Sequence, residues 1–320
     1  MISREKNQGI IIVGAGIPGL TLAIHLANAG TPVTVIERSG EKDILSDPTP
    51  TRTAALMGRS IQFLRETGIW DSIETKCHPM RALSITDWSR TPHQTQHFEA
   101  KEIGHATFGL NCPIGPVRHA LIKQAKKTKN LTCLFGVQLD TLTQQPGFVS
   151  LSLTGKKKPL KAALVIGADG RNSAIRELAY IPFKRKDYVE SAVTCIFEHG
   201  LPHHDISYEN HWPGGPATTV PLPGQTSSLV WVMPTQDVED VIHFKKHEME
   251  AVINHKIGNR LGEITLMTGL ESFPLCTMRV ERLTTHRVAL MAEAAHGFSP
   301  IGAQGLNLSL RDALVLRNTI

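Results

Sequence analysis

Cysteine is scarce and scattered. Five residues, Cys77, Cys112, Cys133, Cys195 and Cys276, form no CxxC pair and no zinc-ligand spacing, which excludes a disulfide-stapled miniprotein and reads as reduced thiols in a cytosolic protein. Charge of one sign is lacking as well, because 34 Lys plus Arg face 29 Asp plus Glu for a formal charge of +5. That excess is mild for 320 residues and no nucleic-acid motif stands beside it, so a nucleic-acid partner is not expected. Aromatic residues are only 5% of the chain, yet 41% is hydrophobic and 20% charged. This composition buries one large core or two smaller ones and excludes a wholly disordered chain. Repeats, low-complexity tracts and Gly/Ser linkers are also missing.

Long apolar runs are missing with one exception. Ile10 to Leu26 is almost wholly apolar and follows Arg4 and Lys6, in the manner of a signal peptide. Gly14, Gly16, Pro18 and Gly19 interrupt it, and the residues on either side give a better reading. Gly9 to Val13 is a run suited to a strand buried on both faces, and a helical pattern follows through Ala29. Gly30 and Pro32 then stop the helix, and Val33 to Ile36 forms a second strand ending at Glu37. No other stretch approaches the ~20 apolar residues a bilayer requires. The chain is therefore expected to be cytoplasmic, or peripheral at the inner face of a membrane.

In the turn Gly14-Ala15-Gly16-Ile17-Pro18-Gly19, the first glycine permits the bend and the second lets a phosphate approach the backbone. The third lets helix and strand pack closely, and the helix N-terminus adds free N–H groups and partial positive charge. Pro18 suits a first helical turn, where an N–H is dispensable. Glu37 lies 23 residues after Gly14, where a carboxylate accepts hydrogen bonds from adenosine ribose hydroxyls and repels a 2′-phosphate. The turn alone leaves FAD and NAD equally open.

Further along, Ser60 to Thr67 and Val117 to Lys129 are predicted helices, and Arg81 to Trp88, Gln96 to Glu99, Leu131 to Phe135 and Phe148 to Leu153 predicted strands. Leu164 to Ala168 is another wholly apolar strand, ending at Asp169-Gly170. From Tyr188 to Leu275 the texture changes to strands and loops, with Tyr188 to Phe197 and Leu229 to Met233 as the clearest strands and Val238 to Ile257 as a helix. Arg287 to Ala292 returns to the buried-strand pattern, and a final helix begins at about Gly305.

Three segments carry a resemblance: the glycine turn, Asp169-Gly170-Arg171-Asn172-Ser173-Ala174-Ile175-Arg176, and Ala289 to Asp312, which reads ALMAEAAHGFSPIGAQGLNLSLRD. Together they resemble the single-component FAD-dependent aromatic hydroxylases of the p-hydroxybenzoate hydroxylase fold, and the run from Pro300 to Asp312 is most similar to the ubiquinone-biosynthesis hydroxylases. The resemblance implies an α/β fold, a Rossmann-like FAD-binding domain with an inserted mixed-sheet α+β substrate domain. The first would hold residues 1–75, 106–180 and 277–320, and the second 76–105 and 181–276. It implies NAD(P)H- and oxygen-dependent hydroxylation of a phenolic ring, with a small, lipid-tailed aromatic as the partner. A hydroxylase of a soluble aromatic, or a flavin- or lipid-binding accessory protein without turnover, are the alternatives.

By the same resemblance, Gly14, Gly16 and Gly19 would face the pyrophosphate, Glu37 the adenosine ribose with Arg38 beside it, and Asp169-Gly170 the pyrophosphate and the nicotinamide approach. Arg52 and Arg118 resemble arginines the family uses near flavin, with a solvated role as the alternative for each. Pro300, Gly302 and Gly305 would stand at the reacting face of the isoalloxazine, and Ala303, Gln304, Leu306 and Asn307 would complete the loop around its edge. Backbone N–H groups at the start of a helix there would stabilise negative charge on a reduced flavin. Glu293 departs from the family pattern, in which Gly-Asp stands where this chain has Ala292-Glu293; it is expected to reach a ribityl hydroxyl directly or through water. Family members also continue with further helices beyond the point matching Ile320.

Other signals have plainer readings. His93, His97 and His105, and His203-His204 with His211, lack a partner at metal spacing, so no metal is expected. His296 is expected to order its loop. Arg176 is read either as an ion-pair partner or as a pyrophosphate contact. Lys123, Lys126, Lys127 and Lys129 form either a solvated helix face or one drawn to an anionic membrane.

Overall fold

The structure, a computed structural model, describes residues 8–46, 52–299, 302 and 304–320. Ile10–Val13 is buried throughout because it runs through the interior of a six-stranded sheet. The strand order is Thr284–Thr285, Val288–Leu290, Leu164–Gly167, Ile10–Val13, Val33–Glu37 and Leu131–Phe135. Only the Thr284–Thr285 edge is antiparallel. Ile12 sits opposite Ile166 on one side and Val35 on the other. Both faces of a parallel sheet must be covered, which is why these strands lack polar alternation. Ile10, Ile12 and Val35 pack beneath the helices Ile17–Asn28, Ile114–Ala125 and Gln304–Thr319. Ile11, Val13 and Val165 face an antiparallel layer built from Leu139–Gln144, Val149–Leu153 and Leu160–Ala162.

A larger mixed sheet of nine strands stands apart from this one. Its main path runs His296–Gly297, Glu271–Val280, Phe183–His199, Thr226–Pro234, Gly215–Leu222, Ile206–Trp212, Ala82–Asp87 and Gln94–Glu99, and Ile264–Leu266 pairs with Phe183–His199 off that path. Side chains alternate across a strand, and Val193, Cys195, Phe197, Leu229, Trp231 and Met233 accordingly pack with Val238, Met249 and Ile253 of the covering helices. Ala192, Thr194, Val230 and Val232 therefore lie on the opposite face. A three-stranded sheet, ordered Thr53–Leu56, Gly109–Pro113 and His78–Met80, joins the two larger sheets. Thr53 Oγ1 lies 2.9 Å from Ser228 Oγ, and Asn111 Nδ2 donates to Pro221 O at 3.1 Å and approaches Ser228 Oγ at 3.3 Å.

The fold is thus α/β, a covered parallel sheet with a mixed-sheet α+β insertion. Several boundaries differ from the sequence expectation. Val238 to Ile257 is two helices, Val238–Ile242 and Lys246–Lys256, because the Glu248 carboxylate takes the Lys245 N–H at 2.9 Å and caps a fresh helix start. Tyr188 to Phe197 is the middle of a longer strand, Phe183–His199, whose first residues pair with Glu271–Val280. Val117 to Lys129 begins earlier, at Ile114, and ends at Ala125. Among the described residues no helix is long and apolar enough to cross a membrane.

Candidate cofactor and active site

At the carboxyl end of Ile10–Val13 the chain turns through Gly14, whose φ is +111°. A Cβ there would stand 2.2 Å from Ala168 O, and one at Gly19 would stand 2.3 Å from Gly14 O. These two glycines are required by the protein's own packing. Gly16 differs, since a Cβ there would meet only Pro18 Cδ at 3.8 Å. The turn therefore presents open backbone at Gly16, directly before the helix Ile17–Asn28, whose first amides have no intrahelical acceptors.

Glu37 reaches this turn from the end of the second strand. Its Oε2 accepts the Ala15 N–H at 2.9 Å and lies 3.2 Å from Arg118 Nη2, while Oε1 accepts the Ser39 N–H at 3.0 Å. Arg118 also donates through Nε to Ala15 O at 2.9 Å. Glu37 and Arg118, far apart in sequence, are thus clamped to one residue of the turn. Arg38 is exposed, and Arg52 is exposed with its guanidinium 4.6 Å from the centre of the Phe273 ring, against the large sheet. These two do not join the Glu37 cluster.

Asp169 accepts from Ser173 Oγ at 2.6 Å and from Ile175 N at 3.2 Å, at the start of the short helix Ala174–Leu178. Burial pushes its carboxyl above the ordinary range, with those hydrogen bonds opposing the shift. Gly170 follows in the left-handed region, φ +85°, with no atom within 4 Å of a built Cβ. Among the described residues Arg176 makes no ion pair. Its Nη1 donates to Ala294 O at 3.1 Å and its Nη2 to Arg171 O at 2.8 Å, so it ties two backbone segments together.

Ala292 occupies the left-handed region at φ +55°, a conformation that favours glycine. Its N–H is held by Asp312 Oδ2 at 2.9 Å, and the same oxygen lies 2.6 Å from His296 Nε2. Glu293 pairs through Oε1 with Arg171 Nε at 3.0 Å. Pro300 and Ala303 lie outside the described residues. Gly302 is exposed with φ +62°, Gln304 Nε2 donates to its carbonyl at 3.2 Å, and Gly305 is exposed with free space around a built Cβ. Leu306 packs against the helical core. Asn307 donates to Ala55 O at 2.7 Å and accepts the Met57 N–H at 2.9 Å, binding the last helix to the joining sheet.

Asp312, Asn111, Ser228 and Thr194 were not singled out by the sequence reading. Asp312 had a usable signal, because it stands at the end of the quoted run; the others acquire their surroundings only through long-range pairing. Asn111 is fully buried, and Thr194 Oγ1 is buried with no hydrogen-bond partner among the described residues.

One group of metal-capable side chains comes together among the described residues: His78, His203 and Asp205. His203 Nδ1 accepts the Asp205 N–H at 3.0 Å and its Nε2 meets Leu222 O at 3.0 Å, while Asp205 is held by His78 at 2.6 Å and by Arg81 at 2.9 Å. These atoms are engaged with one another, and Arg81 opposes a cation beside them. His211 pairs with Glu209 instead. A surface cavity of about 400 Å³ opens beside Gly9, Pro32 and Asn130. It lies at the amino ends of the parallel strands, whereas ligands of such sheets bind at the carboxyl ends.

The glycine turn, Glu37 and the last helix all fall within residues 8–320, the span matched by the family model described as an FAD-binding domain. The chain belongs to that FAD-binding family. This flavoprotein is 29% identical over 314 residues to the ubiquinone hydroxylase UbiL of Rhodospirillum rubrum, covering 98% of this chain and 72% of the relative. It is 30% identical over 305 residues to 3-demethoxyubiquinol 3-hydroxylase of Escherichia coli, covering 95% and 77%. PqsL of Pseudomonas aeruginosa shares its fold, with a TM-score of 0.84 and 18% identity over 98% of this chain and 85% of that one. FAD is the cofactor, and FAD-dependent hydroxylation is the class of chemistry.

Proposed function

We propose that this flavoprotein hydroxylates a phenolic ring using NAD(P)H and oxygen, and that the phenol is a polyprenylated ubiquinone precursor. The observation that carries the reading is the meeting of open glycine backbone at Gly16 with Glu37 and Arg118 at the carboxyl edge of the parallel sheet. Gly14, Gly16 and Gly19 shape the pyrophosphate bed, and Glu37 accepts from the adenosine ribose, with Arg38 at its rim. Arg118 holds Glu37 and the Ala15 carbonyl in place. Asp169 and Gly170 border the pyrophosphate, and Arg52, stacked on Phe273 of the large sheet, approaches the flavin from that sheet. Glu293 reaches the ribityl chain by leaving Arg171 or by bridging through water.

Bound FAD, once reduced by the nicotinamide, supplies the oxygen activation that no side chain provides. The chain supplies orientation, charge stabilisation and exclusion of water. Pro300, Gly302, Ala303, Gln304, Gly305, Leu306 and Asn307 form the segment against the reacting ring, with helix N–H groups facing developing negative charge. In the chain that segment follows His296–Gly297, an edge strand of the large sheet, which supports substrate binding beside that sheet. On that sheet, Ala192, Val230 and Val232 are suited to an apolar ring and tail, and the Thr194 hydroxyl to a polar ring substituent.

The relatives named for ubiquinone chemistry support a lipid-tailed substrate. Lys123, Lys126, Lys127 and Lys129 are exposed, and among the described residues only Lys126 has an acidic partner, Glu41 at 2.8 Å. That face supports peripheral attachment to an anionic membrane from the cytoplasmic side. The test supplies purified protein with FAD, NAD(P)H, oxygen and either a polyprenylphenol or a short soluble phenol, measuring hydroxylated product and peroxide separately. Coupled product from the polyprenylphenol is expected. Coupling only with the short phenol overturns the lipid-tailed substrate, and FAD binding without product from any phenol favours an accessory protein.

A further inference from the structure

The strands His78–Met80 and Gly109–Pro113 pair antiparallel, with His78 opposite Asn111 and Pro79 opposite Leu110. Cys77, the residue just before the outer strand, comes across from Cys112 when that register is continued by one residue. Directly opposite residues in such a ladder point to the same face, with Cα atoms about 4.5–5.5 Å apart, inside the 4.4–6.8 Å range that a disulfide spans. Both side chains enter one apolar cluster with Phe63, Leu64 and Trp70, and both are free thiols. Cys133, Cys195 and Cys276 lie on strands of the two larger sheets, in other surroundings.

We infer that Cys77 and Cys112 form an oxidisable dithiol, a modification site that hydrogen peroxide converts to a disulfide within the native fold. This goes beyond the hydroxylase reading and does not rest on it. Cys77 is the entry point, being 8% exposed against 1% for Cys112. Cys112 Sγ donates to Leu110 O at 3.7 Å; the neighbouring Cys112 thiol holds Cys77 below the ordinary thiol value, and the Cys77 thiol together with burial pushes Cys112 up. The Cys77 sulfur attacks one peroxide oxygen, the O–O bond breaks, and one water leaves as a sulfenic acid forms. The Cys112 sulfur then attacks Cys77, the S–O bond breaks, and a second water carries away the remaining oxygen. Two thiols lose two electrons and two protons, and the peroxide is reduced to two waters.

The position gives this bond a consequence. Cys77 immediately precedes the outer strand of the joining sheet, and Cys112, on its central strand, pairs with Ala54. Its neighbour Asn111 holds the large sheet, and Pro113 leads into the helix bearing Arg118. A disulfide would pin the outer strand of this junction to its centre.

The test treats the folded, FAD-loaded protein with a small molar excess of hydrogen peroxide, then unfolds it in an alkylating agent and maps peptides without reduction. The expected result is a Cys77–Cys112 cross-linked peptide that a dithiol reductant reverses, with the other three cysteines alkylated. In Cys112→Ser protein, Cys77 should instead be trapped by a sulfenic-acid reagent; in Cys77→Ser protein, Cys112 should stay alkylatable. Full alkylation of both thiols in the peroxide-treated native protein overturns the proposal. So does a cross-link to another cysteine, or a cross-link formed only after unfolding. The mapping uses the unaltered chain and therefore decides the question even if a variant fails to fold.

Discussion

The glycine turn and its acidic partner Glu37 are close in sequence, joined by Ala15 N–H to Glu37 across 22 residues, with Arg118 closing the cluster from 103 residues away. On the large sheet, Ser228 meets Thr53 across 175 residues and Asn111 across 117. The first region works through backbone: two glycines admit no Cβ and a third leaves room for a ligand. The second works through strand faces, one packed beneath helices and the other turned towards the joining sheet. Adding an atom should therefore be ruinous in the first region, whereas shape-conserving exchanges should be tolerated in the second.

The sharpest test of that contrast is Gly14→Ala. The left-handed φ and the 2.2 Å approach to Ala168 O leave no place for the methyl group, and the expected destabilisation is on the order of 3–5 kcal/mol. Thermal unfolding and FAD content should fall together; normal stability would mean that the turn opens readily. Glu37→Ala comes next. Loss of a charged acceptor should weaken FAD binding by about 1.5–3 kcal/mol, and titration of apoprotein with FAD and with FMN should confine the loss to FAD. An equal loss for both flavins would remove Glu37 from the adenosine site.

On the other side of the comparison, Asp205 joins the loop before Ile206–Trp212 to His78 and Arg81. Burial works against its ionisation, but hydrogen bonding and charge from His78 and Arg81 hold its carboxyl below the ordinary range. A depressed folded value stabilises the protein above the unfolded carboxylate value, about 3.9, and the contribution disappears as pH falls through the folded one. Asp205→Asn should cost about 1 kcal/mol at neutral pH, and denaturant titrations should show the gap closing in acid. A gap independent of pH would mean that the pairing does not depend on the charge of Asp205.

The smallest effect on stability is expected at Thr194. Its hydroxyl lacks a partner among the described residues, so Thr194→Val should leave stability within about 0.5 kcal/mol or raise it. If the hydroxyl meets the substrate ring, KM for the phenol rises while FAD affinity is unchanged. An unaltered KM would take Thr194 out of the cleft.

The parallel strands, the turn and the Glu37 terminus were legible because each is local: apolar runs, a glycine spacing and one acidic residue. The two helices within Val238 to Ile257 were read as one, since an apolar period does not reveal that Glu248 caps a new start at Lys245. Glu293 and Arg171 were each visible within their motifs, but their 3.0 Å pairing depends on two loops 122 residues apart. Cys77 and Cys112 read as isolated thiols in the sequence, and only the folding of the joining sheet buries both in one apolar cluster.

The sequence by itself determined the elements whose cause lies within a few residues: buried parallel strands, a turn that needs glycine, and helices bounded by proline, glycine and caps. It also determined the family, because the glycine turn and the Pro300 to Asp312 run keep fixed order and spacing. Tertiary structure alone decided which face of each long strand is covered, that Arg118 shares Ala15 with Glu37, and that Asp312 holds both Ala292 and His296. The physical reason is the period of the strand. Every second residue faces the same way, so a pattern of alternation names two faces, but only the register and the layer packed above decide which of them becomes core and which becomes cleft.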